Sequence, residues 1–207
     1  MEQLVDQVVQ AVRKAGLVEV EVSARHVHLS QEDMETLFGS GATLHPKRPL
    51  SQPGQFLSEE RVNLIGNRGR KEHVAILGPV RSHTQIELSK SDCVDLKIDA
   101  PLRESGHLDG AASIRIEGPK GVITVKQGAI VAHNHIHVPP KMADELCLKN
   151  GEHVSVKVLG RRPMTFNDVI IRISENFRFR MHIDFDEANA AFVSGFTLGK
   201  IIKKEKD

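Results

Sequence analysis

The 207-residue chain has no tryptophan and no tyrosine, so phenylalanine supplies all of its aromatic side chains. Proteins that stack nucleobases need aromatic faces. A net charge of +1 provides no broad basic field for a phosphate backbone. Nucleic acid is therefore not an expected partner. Cysteine is also scarce: Cys93 and Cys147 are too few and too isolated for a disulfide framework or a cysteine-based zinc site. They read as buried, reduced thiols of a cytosolic protein. There is no apolar run of about 18 residues, so no membrane span is expected. Met1 to Leu17 carries acidic residues and lacks the continuous apolar stretch of a signal peptide.

What remains is an ordinary globular composition, 40% hydrophobic and 27% charged, with 11 histidines. The length suits one large domain or two small ones. Leu4, Val5, Val8, Val9 and Val12 recur at near-helical spacing and Gly16 ends the run, which predicts an N-terminal amphipathic helix. Only Ala15 and Gly16 separate it from the next element, so packing is expected ahead of docking on a partner. From Leu17 to Leu29, Val18, Val20 and Val22 alternate with Glu19 and Glu21, the pattern of a strand running into Arg25-His26-Val27-His28. Ser30 and Asp33 then cap a helix reaching to about Phe38, and Gly39 stops it. The prolines at 46, 49 and 53 with Gly54 predict a loop.

Beyond Arg61 short strands alternate with turns. They are expected at residues 62–64, 74–77, 84–88, 114–116, 122–125, 129–132, 154–158 and 169–173, with glycines between them, Gly128 included. Such spacing means small barrels or a sandwich, not a parallel sheet with crossover helices. A weak internal repeat is visible. His26-Val27-His28 followed by a capped helix matches His135-Ile136-His137, which Pro139-Pro140 and a helix over 141–148 follow. Two related halves, each bringing one motif to a shared cleft, is the economical reading.

Residues i and i+2 of a strand point to one face. Each His-x-His can thus converge on one metal, and neutral imidazole suits zinc and other borderline metals. One such pair is weak support; two in matching contexts argue for a metalloenzyme. Each pair needs a third ligand, and His182 and Glu87 sit on apparent strands between apolar neighbours. Taken alone, His182 reads more simply as a hydrogen-bonded core histidine and Glu87 as a solvated carboxylate. The spacing His26-x-His28-x3-Glu32 also matches the metal motif of cupin barrels, but Glu32 falls in a helical turn and the second cupin motif is missing. Arg81 follows a Gly78-Pro79 turn; its fork could bind phosphate or carboxylate, although a surface arginine is the commoner fate. The loop Pro101 to Gly106 has no evident role. His45, His73, His83, His107, His133 and His153 read as mostly exposed, with His133 a candidate accessory.

Four collinear blocks carry a resemblance: Val22 to Ser30, Leu50 to Phe56, Ile76 to Ser82 and Met181 to Ala190. Together they resemble the PduL-type phosphotransacylases, the phosphate propanoyltransferases, from Val18 to Gly195. The resemblance implies a mainly β fold of two small β-barrels with helical caps. Its expected divisions are an N-terminal helix over 1–16, a first barrel from 17–24 with 133–202, a second barrel from 25–132, and a charged tail at 203–207. It implies reversible conversion of short-chain acyl-CoA plus phosphate to acyl phosphate plus CoA, at two zinc ions. His26, His28 and Glu87 would hold one zinc and His135, His137 and His182 the other. Arg81 would bind phosphate, and Val22, Ser23, Ala24 and Arg68 would lie along CoA. The first zinc would serve phosphate and the second the CoA sulfur, with no protein nucleophile. Ala75 and Asn134 stand where the family usually has basic residues, which bears on CoA binding and the second site, not on the reaction class. A dimer is the base-rate assembly, and the terminal helix could alternatively be a packaging tag for a bacterial microcompartment shell. A dinuclear metallohydrolase or a non-catalytic metal-dependent binding module would use the same ligands.

Overall fold

The computed structural model describes residues 2–203, so the end of the charged tail, 204–207, lies outside the described residues. The chain forms two compact units: residues up to Ser23 with those from Asn134 on, and Ala24–His133. It opens with α1 (Glu2–Lys14) and β1 (Leu17–Val22). The predicted continuous strand into the first His-x-His is interrupted. β1 stops at Val22, and β2 (His26–His28) belongs to the other unit. The expectation that α1 packs is also not met, since Leu4 is 63% and Val8 54% exposed. Among the described apolar side chains of the helix, Leu4, Val8 and Val9 stay largely in solvent and Val12 is half-buried.

The central unit continues through α2 (Gln31–Phe38), β3 (Pro46–Pro49), β4 (Phe56–Ile65), β5 (Arg70–Gly78), β6 (Gln85–Leu88) and α3 (Lys90–Leu96). It ends with β7 (Leu102–Arg103), β8 (Ala112–Glu117) and β9 (Val122–Ala132). Pairing runs β4–β5–β2–β6–β9–β8 and back to β4, a closed six-stranded barrel with β3 and β7 added at β4 and β9. The predicted proline loop thus contains β3, an exposed strand with irregular register; proline cannot donate to a ladder and is confined to such edges. The break expected at Gly128 is absent, and β9 runs through it. A Cβ there would lie 2.3 Å from Val125 Cγ1, so glycine lets the strand fold closely past its own side chain.

The chain returns to the first unit as β10 (His135–Val138), α4 (Pro140–Leu146), β11 (His153–Leu159), β12 (Met164–Ile173), β13 (Arg180–Ile183), α5 (Phe185–Ala190) and β14 (Leu198–Ile202). Its strands close in the order β1–β13–β10–β12–β11–β14. The protein is mainly β, with two six-stranded barrels, as the strand spacing and the resemblance implied. Each barrel has its own aliphatic core, Val27, Leu64, Ile76, Ile86 and Ile116 in one and Val18, Ile136, Val156, Ile171 and Met181 in the other. Burying such a side chain is worth about 1.5–3 kcal/mol. Helices of six to eight residues are marginal in water. Barrel closure therefore holds the short helices, not the reverse. Among the described residues no helix is long and apolar enough to cross a membrane.

Candidate metal centre

In the central unit β2 lies between β5, parallel to it, and β6, antiparallel to it. The register puts Glu87 directly opposite His26. His26 and His28 are 5% and 3% exposed, and their rings meet edge to face with centroids 4.9 Å apart. One ligand atom from each of His26, His28 and Glu87 lies within 4.8 Å of the others. Nδ1 of His26 is 2.8 Å from Ala24 O, and Nδ1 of His28 is 3.2 Å from Leu77 O. A carbonyl only accepts, so each Nδ1 carries a hydrogen, and in the neutral ring Nε2 keeps its lone pair. Nε2 of His26 is 3.5 Å from Glu87 Oε2. Burial, aided by His26 and Arg81, keeps the His28 pKa well below the usual histidine value, so its imidazole is neutral. Two bare nitrogens and a carboxylate oxygen converge, a donor set that fits a divalent cation such as zinc.

The first unit repeats the arrangement. β10 lies between β12, parallel, and β13, antiparallel, and His182 stands opposite His135. The three imidazoles of His135, His137 and His182 cluster with centroids 4.6, 4.8 and 5.2 Å apart. Phe177 stacks on His137 at 3.9 Å. Burial, followed by the neighbouring His135 and His182, pushes the His137 pKa far below the histidine range. Its Nδ1 is buried with no hydrogen-bond partner. An unsatisfied buried nitrogen is rare in folded proteins, and three clustered imidazoles with one bare nitrogen on a neutral ring fit a zinc-type ion.

The correspondence extends to how the strands are held. After β6, Ser89 and Asp92 form a capping box on α3; after β13, Asp184 and Glu187 do the same on α5. Asp92 also accepts hydrogen bonds from Arg25, the residue before His26, with Nε and Nη2 both 2.8 Å from Oδ1. Glu187 accepts from Asn134, the residue before His135, at 2.5 Å. In each unit, then, the helix after the third residue's strand ties down the start of the His-x-His strand. Asn134 makes this contact with a short, neutral side chain. The helices after the histidine strands differ, since Ser30 caps α2 through its side chain while Pro139 gives α4 no such bond.

Arg81 is half-buried, and its N–H donates to Leu29 O at 2.8 Å. It lines an open cavity of about 770 Å³ with Ser30, His83, Thr84 and Lys126, and with the acidic Glu32 and Asp33. Val22 ends β1 and Ser23 follows it in the first unit, whereas Ala24 and Arg68 belong to the central one. Arg68 is exposed in the β4–β5 turn, and the geometry does not gather it with the trio. Ala75 pairs with His26 across β2 and β5. Glu32 lies in the first turn of α2, as its spacing predicted. His45, His73, His83, His107 and His153 are exposed, and His133 is half-buried. The sequence reading passed over Gln85, Asp92, Ser105, Phe177 and Glu187. Of these, Asp92 and Glu187 had a signal, as third residues after the capping positions Ser89 and Asp184.

Two closed barrels, each carrying a histidine-rich trio on its strands, have the makings of a metalloenzyme. Residues 19–194 match the family model of phosphate propanoyltransferases. The chain is 46% identical to a phosphate propanoyltransferase of Clostridioides difficile, over 99% of this chain and 98% of that one. It is 44% identical to a namesake from Thermotoga maritima, over 96% and 95%. A third, from Sebaldella termitidis, is 46% identical over 89% and 88%. The chain belongs to the phosphate propanoyltransferase family.

Proposed function

We propose that the protein interconverts propanoyl-CoA plus phosphate with propanoyl phosphate plus CoA, and that acetyl-CoA and other short acyl thioesters fit the same chemistry. The observation carrying this reading is the convergence of His26, His28 and Glu87 within 4.8 Å, with Arg81 nearby in the same unit. In this reading His26, His28 and Glu87 hold one zinc, and His135, His137 and His182 the other. Zinc at these trios supplies Lewis-acid stabilisation of oxygen and sulfur anions.

The remaining work falls to side chains. Arg81 holds phosphate through its planar fork and keeps one oxygen free to attack. That oxygen bonds to the thioester carbonyl carbon, the carbon–sulfur bond breaks, and CoA leaves as its thiolate. The paired bonds from His26 to Ala24 and from His28 to Leu77 fix both rings, so little reorganisation accompanies the reaction. Val22, Ser23, Ala24 and Arg68 are assigned to the CoA chain.

The test is thioester formation from propanoyl phosphate and CoA by the zinc-loaded protein, with and without a chelator. The expected outcome is CoA-dependent absorbance at the thioester band that the chelator abolishes. Phosphate release without CoA would instead mean a hydrolase, and no turnover would mean a binding module.

A further inference from the structure

The segment from Pro101 to Gly106, expected as a loop of no evident role, contains β7, and Ser105 just beyond it contacts both Arg81 and Gln85, the neighbour of the trio's carboxylate. Its hydroxyl is 2.8 Å from Gln85 Nε2 and 3.4 Å from Arg81 Nη1. Gln85 is 2% exposed and lies on β6 two residues before Glu87, hence on the same face. Its Nε2 also donates to Glu87 Oε1 at 2.7 Å, and its Oε1 accepts from the Gly106 N–H at 2.8 Å. A carboxylate cannot donate to Oε1 and a backbone N–H cannot accept from Nε2, so these partners determine the amide's orientation.

We infer that Gln85 and Ser105 are positioning residues that align Glu87 and Arg81 with each other. The inference rests on the reading that the central trio holds zinc and that Arg81 binds phosphate. By occupying Oε1 of Glu87, Gln85 leaves Oε2 as the oxygen directed at His26 Nε2. Partners of this kind fix a ligand before the ion arrives. Ser105 accepts from both the amide and the guanidinium, so the position of the arginine is set by the same buried side chain that sets the carboxylate. The roles differ in consequence: Gln85 bonds the metal ligand directly, whereas Ser105 bonds the arginine directly and touches the ligand only through Gln85.

The variants Gln85→Met and Ser105→Ala in the full chain separate these roles. Chelator-stripped protein is titrated with zinc against a chromophoric competitor. Kinetics of the loaded protein then give KM for phosphate and for propanoyl-CoA separately. Gln85→Met should weaken one zinc equivalent by about 10- to 100-fold and leave the other unchanged. Ser105→Ala should bind zinc as the wild type does but raise KM for phosphate about tenfold, with KM for propanoyl-CoA within about twofold, the size expected for one bond to a charged group. Ser105 is on a half-exposed loop, so this variant decides the matter even where Gln85→Met fails to fold. Wild-type zinc affinity in Gln85→Met, or an unchanged KM for phosphate in Ser105→Ala, would overturn the positioning role. A wild-type chain that binds no zinc would instead sink the metal reading underneath it.

Discussion

His26 and His28 each commit Nδ1–H to a main-chain carbonyl and turn a bare Nε2 toward Glu87, whose side chain is 12% exposed. Without a cation, Gln85 donates to Oε1 while Oε2 faces the histidine nitrogens, and keeping this charge largely out of water costs free energy. The two functions of that side chain, ligand and source of strain, therefore pull stability in opposite directions. Glu87→Gln keeps the shape and removes the charge. Its zinc content is expected to fall from about two ions per chain to about one. In chelator, the variant should unfold at the same temperature as the wild type or higher, because a neutral amide costs less to bury than a carboxylate. Metal analysis and thermal melts read both. A variant that keeps both ions, or melts much earlier in chelator, would show that Glu87 is a structural carboxylate.

Among elements, the recurring unit is a His-x-His strand with a parallel neighbour on one side, an antiparallel one on the other, and a capped helix that ties down its start. Asp92 is the tie in the central unit, 1% exposed and shared by Arg25, Lys71 and the α3 cap. Asp92→Asn leaves the cap's acceptor oxygen but strips the charge that Arg25 and Lys71 face. The loss should be about 3 kcal/mol, the low end for a broken buried pair, because a third of the Arg25 side chain stays in water. Urea denaturation measures it, and a loss under about 1 kcal/mol would mean the tie is decorative. Much at this scale was legible in the sequence. Period-two alternation around Val18–Val22 and Val154–Val158, with glycine turns, was enough for barrels. Helices α3 and α5 were not read, since seven and six residues hold too few turns for a period to register. Strand register is not written locally either. That His26 faces Glu87 and His135 faces His182 depends on pairings between distant segments. The clamp on Glu87 was invisible for the same reason, because Gly106 and Ser105 meet Gln85 only after closure.

For the whole molecule, the question is whether the acyl group ever rests on the protein. Cys93 and Cys147 are the only thiols, and a covalent route would need one of them as a thiolate within reach of a base. Cys93 is 1% exposed in the core of the central barrel, and burial pushes its pKa up, which keeps it protonated and unreachable. Cys147 is exposed, but it caps the end of α4 in a left-handed turn, a place set by helix termination. Neither is in a histidine trio. Direct attack by phosphate on the thioester then requires both substrates to be bound together before either product leaves. Initial rates at varied phosphate and propanoyl-CoA should give intersecting double-reciprocal lines, not the parallel lines of a ping-pong enzyme. The double variant Cys93→Ala with Cys147→Ala should retain kcat within about threefold, the allowance for a small core cavity at position 93. Parallel lines together with a dead double variant would put the acyl group on a cysteine and leave the two trios in need of another role.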